Sequence, residues 1–391
     1  ATPPAITITE DGVTDDVDEH IARRIEGTIE VPLYLESTDV GARLARDADG
    51  LVTQNGTAQV DFLVIVPRSV AEGENPVRPA RLVQFGHGFF GTREEAADGF
   101  VPLFADRAGV VVVAVDWWGW SEPDRDLLAE DLVLEMGLAL RLNDRAHQAM
   151  VNHMAVTYAA RSSLAEAQAL QIDGEPTFDP AELYFFGISA GHILGGTYLA
   201  LSPHVDRAAL SVGGAGFTQM MFRSLPFGSF IFVIGLEVDD RLEQQKLAAV
   251  LHVGLDRIDP ATYAPFVLDD LLPGGPAERT VLMQGVVGDT HVPNVATHAH
   301  ARMLGLRHLQ PAPRPIAGLE GADGPLDVSA FVEFDMGLEP PLPGTTARNP
   351  TEDVGVHTGQ RELPASMDLV DRFFRPGAPI ENPCDGACDP E

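Results

Sequence analysis

The sequence predicts an α/β fold: a doubly wound, mostly parallel sheet with an inserted cap. Three observations indicate it. Apolar runs typical of strands alternate with helical stretches over short links, residues 110–115 read Val-Val-Val-Val-Ala-Val, and one interval between strands is unusually long. A continuous β-branched run suits a strand covered by helices on both faces, as in a parallel sheet. Regular alternation of strand and helix is typical of doubly wound sheets.

Each element follows from its local pattern. Residues 1–19 are acidic, and we expect them to be irregular. Strands are predicted where apolar residues alternate with polar ones or form a β-branched run, and helices where apolar residues recur with helical periodicity. The predicted strands cover 27–35, 57–66, 81–85, 110–115, 181–186, 208–212, 280–287 and 328–334. The predicted helices cover 94–108, 126–161 with one or two breaks, 191–201, 239–251, 260–272, 297–306 and 367–374.

The long interval lies between the strands ending at Val212 and beginning at Thr280. It holds about 67 residues, whereas a crossover needs only about 12. We therefore expect an inserted cap. The predicted organisation is a β-rich N-terminal extension (1–56), a core in two parts (57–216 and 277–378), the cap (217–276) and a C-terminal tail (379–391).

The charge balance excludes two classes of partner. The chain has 391 residues with 26 Lys and Arg against 58 Asp and Glu, so its formal net charge is −32. Binding to nucleic acid or to an anionic membrane surface depends on basic residues, so neither partner is predicted. A hydrophobic content of 45% predicts a folded protein. No uncharged apolar run reaches the roughly 18 residues that span a bilayer, so no integral membrane segment is predicted.

The motif Gly187-Ile188-Ser189-Ala190-Gly191 lies between a predicted strand and a predicted helix. A serine on such a sharp turn adopts a strained backbone with positive φ, and its neighbours two residues away must be small for the turn to close. With strand, turn and helix in this order, the motif indicates a nucleophilic serine.

On these motifs, residues 57–376 resemble the α/β-hydrolase superfamily, specifically its serine esterases and lipases. The resemblance implies the chain order nucleophile, acid, histidine, with an oxyanion loop after an early strand and no cofactor. The oxyanion loop would be the segment His87-Gly88-Phe89-Phe90-Gly91. Its donors would be the N–H groups of Ala190 and of Phe89 or its neighbour. Two phenylalanines replace two glycines of the family's His-Gly-Gly-Gly form, and a simple strand-to-helix turn is the alternative.

The acid is expected directly after the strand that follows the cap, where Asp289 comes next to Gly288. A carboxylate at a strand end can orient an imidazole and stabilise its charged form. The alternative is that Asp289 is an N-cap for the following helix. Asp116 also follows a strand, but we interpret it as part of a structural turn.

His357 is the predicted base because it lies between the last strand and the last helix, in a loop over 353–359. It follows Asp289 by 68 residues, which we assign to an excursion through 340–349. His291 is the second candidate. His192 lies on the helix after Ser189, where a capping or packing role is expected.

The first half of the cap is rich in Phe and Met. Over the active site, Phe217, Phe222 and Phe230, together with Phe90, would bind the acyl chain of a substrate. The alternative is that this apolar stripe is ordinary core.

Cys384 and Cys388 form a C-x3-C pair in the tail. We interpret it as a disulfide, with two free thiols as the alternative; zinc would need four ligands, so no metal site is predicted. A disulfide and a chain that opens at Ala1 predict a secreted or periplasmic protein, although a trimmed chain would open in the same way.

These features together predict a secreted serine hydrolase that cleaves small-molecule or lipid carboxylic esters. A peptidase or an acyltransferase could use the same triad. A binding module that has lost its chemistry is the alternative outside enzymes.

Overall fold

The computed structural model describes residues 2–72, 76–338 and 350–388. The predicted excursion over 340–349 therefore lies outside the described residues, as do the last three residues of the tail. The chain forms two compact units. The first comprises Ala1–Arg125, Arg141–Phe186 and Ser202–Val205, and the second comprises Asp126–Leu140, Gly187–Leu201 and Asp206–Glu391.

The described residues contain strands in both units, numbered in chain order. They are β1 (Ile6–Asp15), β2 (Ile21–Pro32), β3 (Thr57–Pro67), β4 (Ala80–Gly86), β5 (Val110–Val115), β6 (Gln171–Ile172), β7 (Glu175–Pro176), β8 (Phe178–Ile188), β9 (Arg207–Ser211), β10 (Thr280–Val286), β11 (Arg307–Gln310), β12 (Gly321–Asp323) and β13 (Ala330–Phe334).

The α-helices are numbered in the same way. They are α1 (Arg68–Ala71), α2 (Phe100–Ala108), α3 (Glu122–Leu134), α4 (Leu142–Ala160), α5 (Ala190–Leu201), α6 (Phe217–Met221), α7 (Gly228–Glu237), α8 (Arg241–Leu255), α9 (Pro260–Tyr263), α10 (Pro265–Leu268), α11 (Asn294–Met303), α12 (Val356–Glu362) and α13 (Pro364–Phe373). Short 3-10 helices cover Arg93–Ala97, Met136–Arg141 and Gln168–Leu170. None of the helices in the described residues combines the length and the apolar composition that a membrane span requires.

In the first unit, β1, β2, β3 and β5 pair antiparallel in that order, and β4 pairs parallel with β5. The expectation that residues 1–19 are irregular is wrong, because β1 occupies much of this stretch. Half-buried Ile6 and Ile8 alternate there with exposed Thr7 and Thr9, which is the period of a strand with one covered face. An edge strand tolerates the acidic residues beside this pattern.

In the second unit, strands β9, β10, β13, β11 and β12 are neighbours in that order and all pair parallel. The predicted α/β class with a mostly parallel sheet is thus confirmed. Every residue of β5 is buried, and β10 and β13 are buried over nearly their whole length. Helices α6 to α10 lie between β9 and β10 in the chain, the interval predicted to hold the cap.

Three local predictions are corrected. The helix expected over 94–108 is interrupted at Gly99, whose φ of 61° ends the 3-10 turn and starts α2. The helix expected over 260–272 is two short helices, α9 and α10, each with a proline in its first turn. Strands β11 and β12 were missed because both are short and lack an apolar run.

Candidate active site

Ser189 lies on the turn between β8 and α5, with φ of 54°. Its backbone N–H donates to the Ser211 carbonyl at 2.9 Å, and its own carbonyl accepts from the N–H groups of His192 and Ile193, both at 3.1 Å. The residue is 9% exposed. A left-handed conformation costs a non-glycine residue about 1–2 kcal/mol. These three hydrogen bonds hold the backbone in that conformation.

Ala190 is the first residue of α5. The first N–H groups of a helix have no acceptor within the helix, and the helix dipole favours negative charge at this end. The Ala190 N–H therefore lies next to Ser189 without an acceptor inside α5.

Asp289 and His357 form a buried hydrogen-bonded pair. His357 Nδ1 lies 2.8 Å from Asp289 Oδ2, and the two residues are only 3% and 7% exposed, respectively. Because an ionised carboxylate only accepts, Nδ1 carries the proton, and Nε2 of the neutral ring is left as an acceptor. The structure thus brings Asp289 and His357 together, and both lie in the unit that contains Ser189.

The second oxygen of Asp289 fixes the turn. Oδ1 accepts the backbone N–H groups of His291 and Val292 at 2.8 and 2.9 Å. The capping alternative is therefore half right: Asp289 caps a turn, but α11 begins later, at Asn294. One carboxylate holds both the backbone around it and the imidazole of His357.

His357 lies in the first turn of α12, not in a loop as predicted. Gly355 precedes the helix with φ of 77°. The fully buried Gln360, one turn after His357, donates from Nε2 to Ser366 Oγ at 2.9 Å. This bond ties the helix that carries His357 to α13.

A buried polar network centred on Gln284 lies beside these elements. Gln284 Oε1 accepts from the hydroxyls of Ser211 and Ser366, and its Nε2 donates to the Ser366 carbonyl at 3.1 Å. Its backbone carbonyl accepts from Val212 N–H at 2.9 Å. The network thus joins β9, whose Ser211 carbonyl bonds the Ser189 N–H, to the helices after β13. Sequence reasoning missed it, although a Gln inside the apolar run of β10 was a visible signal.

A second, partly buried network supports the turn that carries Asp289. Asn294 Oδ1 accepts from Gly288 N–H at 2.9 Å and from Arg314 Nη2 at 3.3 Å. Arg314 in turn donates to both carboxylate oxygens of Glu333 at 2.8 Å. Burial alone would raise the pKa of Glu333, but hydrogen bonds from Arg314 and His298 outweigh it and lower that pKa. Sequence reasoning also missed Glu333, a charged residue within the apolar strand β13.

His192 has the packing role expected for it. Its Nδ1 accepts from Gly213 N–H at 3.0 Å, so its Nε2 carries the proton and donates to His300 Nδ1 at 2.9 Å. Burial, and then the neighbouring His300, lower the pKa of His192 well below its usual value. Burial lowers the pKa of His300 to about 4.

The predicted oxyanion loop lies in the first unit. Glu95 Oε2 accepts from Gly88 N–H at 2.9 Å, and His87 Nε2 accepts from Trp117 N–H at 2.8 Å. The rings of Phe89 and Phe90 lie 5.4 and 6.3 Å from that of Trp120. The Phe90 N–H donates to the Trp120 carbonyl at 3.2 Å, so this N–H is already engaged.

The rival acid Asp116 has a structural role in the first unit. It accepts from the backbone N–H of Arg93 at 2.6 Å and from its Nη1 at 2.8 Å. This agrees with its interpretation as part of a structural turn.

The phenylalanines predicted to bind an acyl chain differ in burial. Phe217 and Phe222 are buried, at 1% and 8% exposure, whereas Phe230 is half-buried on α7 and lies 6.1 Å from the ring of Phe227. The N–H groups of Gly216 and Phe217 donate to the buried carboxylate of Asp259 at 3.0 and 2.7 Å. This carboxylate fixes the start of α6.

A disulfide joins Cys384 and Cys388, as the sequence suggested. The Asp335 N–H, just after β13, donates to the Cys388 carbonyl at 2.8 Å and so holds the tail. Within residues 2–72, 76–338 and 350–388, no group of three or more His, Cys, Asp or Glu residues could hold a metal ion.

No protein-family model matches the chain, and no curated protein matches it. Similar solved structures include an acetyl xylan esterase from Thermoanaerobacterium sp. at 15% identity and a TM-score of 0.45, over 85% of this chain and 83% of that chain. A carboxyl esterase from the fungus Tuber melanosporum is 14% identical with a TM-score of 0.45, over 93% and 89%. An acetyl xylan esterase from Paenibacillus sp. is 15% identical with a TM-score of 0.44, over 86% and 85%. Since each TM-score is below 0.5, we infer no function for this chain from these structures.

Proposed function

We propose that this chain is a serine hydrolase of the α/β-hydrolase type that cleaves carboxylic esters. The observation that carries the proposal is the buried bond between Asp289 and His357, 2.8 Å long, in the same unit as a serine held at positive φ between a strand and a helix. An imidazole fixed in one tautomer by a carboxylate is the arrangement that a serine nucleophile requires.

In the proposed mechanism, Ser189 attacks the ester carbonyl while His357 Nε2 takes the hydroxyl proton. Asp289 keeps the imidazole in the required tautomer and stabilises it when it becomes charged. The N–H group of Ala190 holds the oxyanion. His357 then returns the proton to the leaving alcohol, and water releases the acid from the acyl-enzyme. This chemistry needs no cofactor.

The proposed substrate is a small-molecule or lipid ester. Its acyl chain would lie against phenylalanines of the 217–276 segment, which we propose as a cap. The apolar character of α7, in which Glu237 is the one charged residue, supports an apolar acyl group.

We also propose an extracytoplasmic location. The support is the bond between Cys384 and Cys388, because disulfides persist mainly in oxidising compartments.

The test is a panel of nitrophenyl esters from acetate to palmitate beside an amide analogue, combined with fluorophosphonate labelling. We expect ester turnover to exceed amide turnover, and the probe to label Ser189. Ser189→Ala should fold normally and lose several orders of magnitude in kcat, since the triad acts as a unit. Ser229→Ala, which changes an exposed serine on α7, is the matched control. Faster amide turnover, or labelling elsewhere in active enzyme, would refute the proposal.

A further inference from the structure

We propose that His291 is a positioning residue for the base: its imidazole stacks on that of His357 and holds the ring in its reactive orientation. The two ring centroids are 4.5 Å apart and the planes differ by 20°. The proposal rests on the proposed function, because it assigns His357 as the base.

His291 is connected to the Asp289–His357 pair in two ways. Its backbone N–H donates to Asp289 Oδ1 at 2.8 Å, and its ring covers one face of His357. The turn that orients the acid therefore also carries the ring that covers the base. A shift of this turn would move both together.

A second carboxylate lies close to the His291 ring. His291 Nε2 lies 3.2 Å from Asp353 Oδ2. Asp353 Oδ1 accepts from Gly355 N–H at 2.9 Å and from Thr290 Oγ1 at 3.1 Å. Burial alone would raise the pKa of Asp353, but the Gly355 hydrogen bond and the nearby His291 lower it. The site thus contains two stacked imidazoles, each with its own carboxylate.

The two histidines are not equivalent. The His291 side chain is 27% exposed and its ring lies against Asp353, whereas that of His357 is 4% exposed and bonds Asp289. The hydrogen bond between Asp289 and Nδ1 fixes one edge of the His357 ring. By itself it does not prevent the ring plane from rotating about that bond. A ring stacked on its face removes that freedom, which is the contribution we assign to His291.

The stack also requires a neutral His291. Burial, followed by the proximity of His357, lowers the pKa of His291, while Asp353 and Asp289 act in the opposite direction. A neutral aromatic face stabilises a cation beside it, so it favours the imidazolium that His357 becomes during the reaction. Once acid protonates His291, two like charges would meet, and proton transfer to His357 becomes harder.

The experiment compares His291→Ala and His291→Phe in the full chain. Each variant is measured for kcat and KM on a nitrophenyl ester from pH 5 to 9, and for the rate of fluorophosphonate labelling. We expect His291→Ala to lower kcat and the labelling rate about tenfold with KM within about twofold, because truncation removes the stack but not substrate contacts. His291→Phe retains an aromatic face and should recover activity to within about threefold at pH 8.

The pH profile separates positioning from a structural role. On the acid side, the activity of the wild type should fall more steeply than that of His291→Phe, because the variant lacks the titratable imidazole at position 291. His204→Phe is the matched control. His204 stacks on Tyr158 with centroids 5.9 Å apart and planes 18° apart, and its replacement should leave both kcat and the slope unchanged.

Wild-type kcat in both variants, or an acid-side slope in His291→Phe as steep as that of the wild type, would overturn the proposal. If His291→Ala fails to fold, the slope and labelling rate of His291→Phe still decide it. Failure of the proposed function would look different: Ser189 would not be labelled in the wild type, or His357→Ala would remain active.

Discussion

The turn that carries Asp289 and the helices α7 and α8 belong to the same unit but distribute polarity in opposite ways. Around the turn, Asp289, Gln284 and Glu333 are buried, and each forms hydrogen bonds. On α7 and α8 the exposed residues include large apolar ones, namely Phe232, Leu236, Leu242, Val250 and Val253. A buried polar group costs free energy unless its hydrogen bonds are formed, so the turn must be rigid. An exposed apolar face carries no such requirement.

This difference in polarity predicts two kinds of effect. Substitutions near the turn should lower kcat or the stability of the fold, whereas substitutions on α7 should change substrate recognition.

The largest effect is expected for Asp289→Asn. The amide can donate to His357 and so favour the wrong tautomer, and kcat should fall on the order of 10³- to 10⁴-fold. Asp259→Asn is the matched control, because Asp259 is also a buried carboxylate that accepts backbone N–H groups. It should lower the melting temperature while kcat stays within about tenfold. Equal losses of kcat in the two variants would show that Asp289 has only a structural role.

An intermediate effect is expected on stability at acidic pH, and it comes from the buried imidazole of His300. Because its pKa is about 4 in the folded chain and about 6.5 when unfolded, the unfolded chain binds more protons between these values. Stability is therefore unaffected by His300 above pH 6.5 and falls as the pH drops toward 4, by about 3 kcal/mol for this group. Denaturant unfolding from pH 7 to 4 measures this slope. His300→Gln retains an acceptor for His192 but does not titrate, so the slope should become shallower; an unchanged slope would assign the acid sensitivity to other groups.

The smallest effect is expected on α7. If Phe230 lines an acyl pocket, Phe230→Ser should lower kcat/KM several-fold for decanoate but hardly for acetate, since each buried methylene contributes about 0.8 kcal/mol. Phe232→Ser, which changes a residue that is 68% exposed, is the control and should change neither ester. Phe230→Ser should leave the melting temperature nearly unchanged. A lower melting temperature with an unaltered chain-length preference would identify Phe230 as core.

The sequence could predict features that depend on neighbouring residues or on the order of the elements along the chain. The turn at Ser189 depends on glycines two residues away on each side, and the position of Asp289 follows from the end of a strand. The helix at His357 could not be predicted, because a glycine at φ of 77° starts it and its short sequence shows no apolar periodicity. The roles of Gln284, Glu333 and His291 depend on contacts between elements distant in the chain. A polar residue within an apolar strand marks such a position but does not reveal its partners.

The φ of 54° at Ser189 also restricts which nucleophile this fold can carry. A β-branched residue is a genuine outlier in that region, so threonine, although it has a hydroxyl, would displace the turn. Glycine would relieve the strain but has no reactive atom. Cysteine has the size and the unbranched Cβ that the backbone accepts. Among side chains with an aliphatic hydroxyl or a thiol, the backbone at position 189 thus accepts serine and cysteine and disfavours threonine.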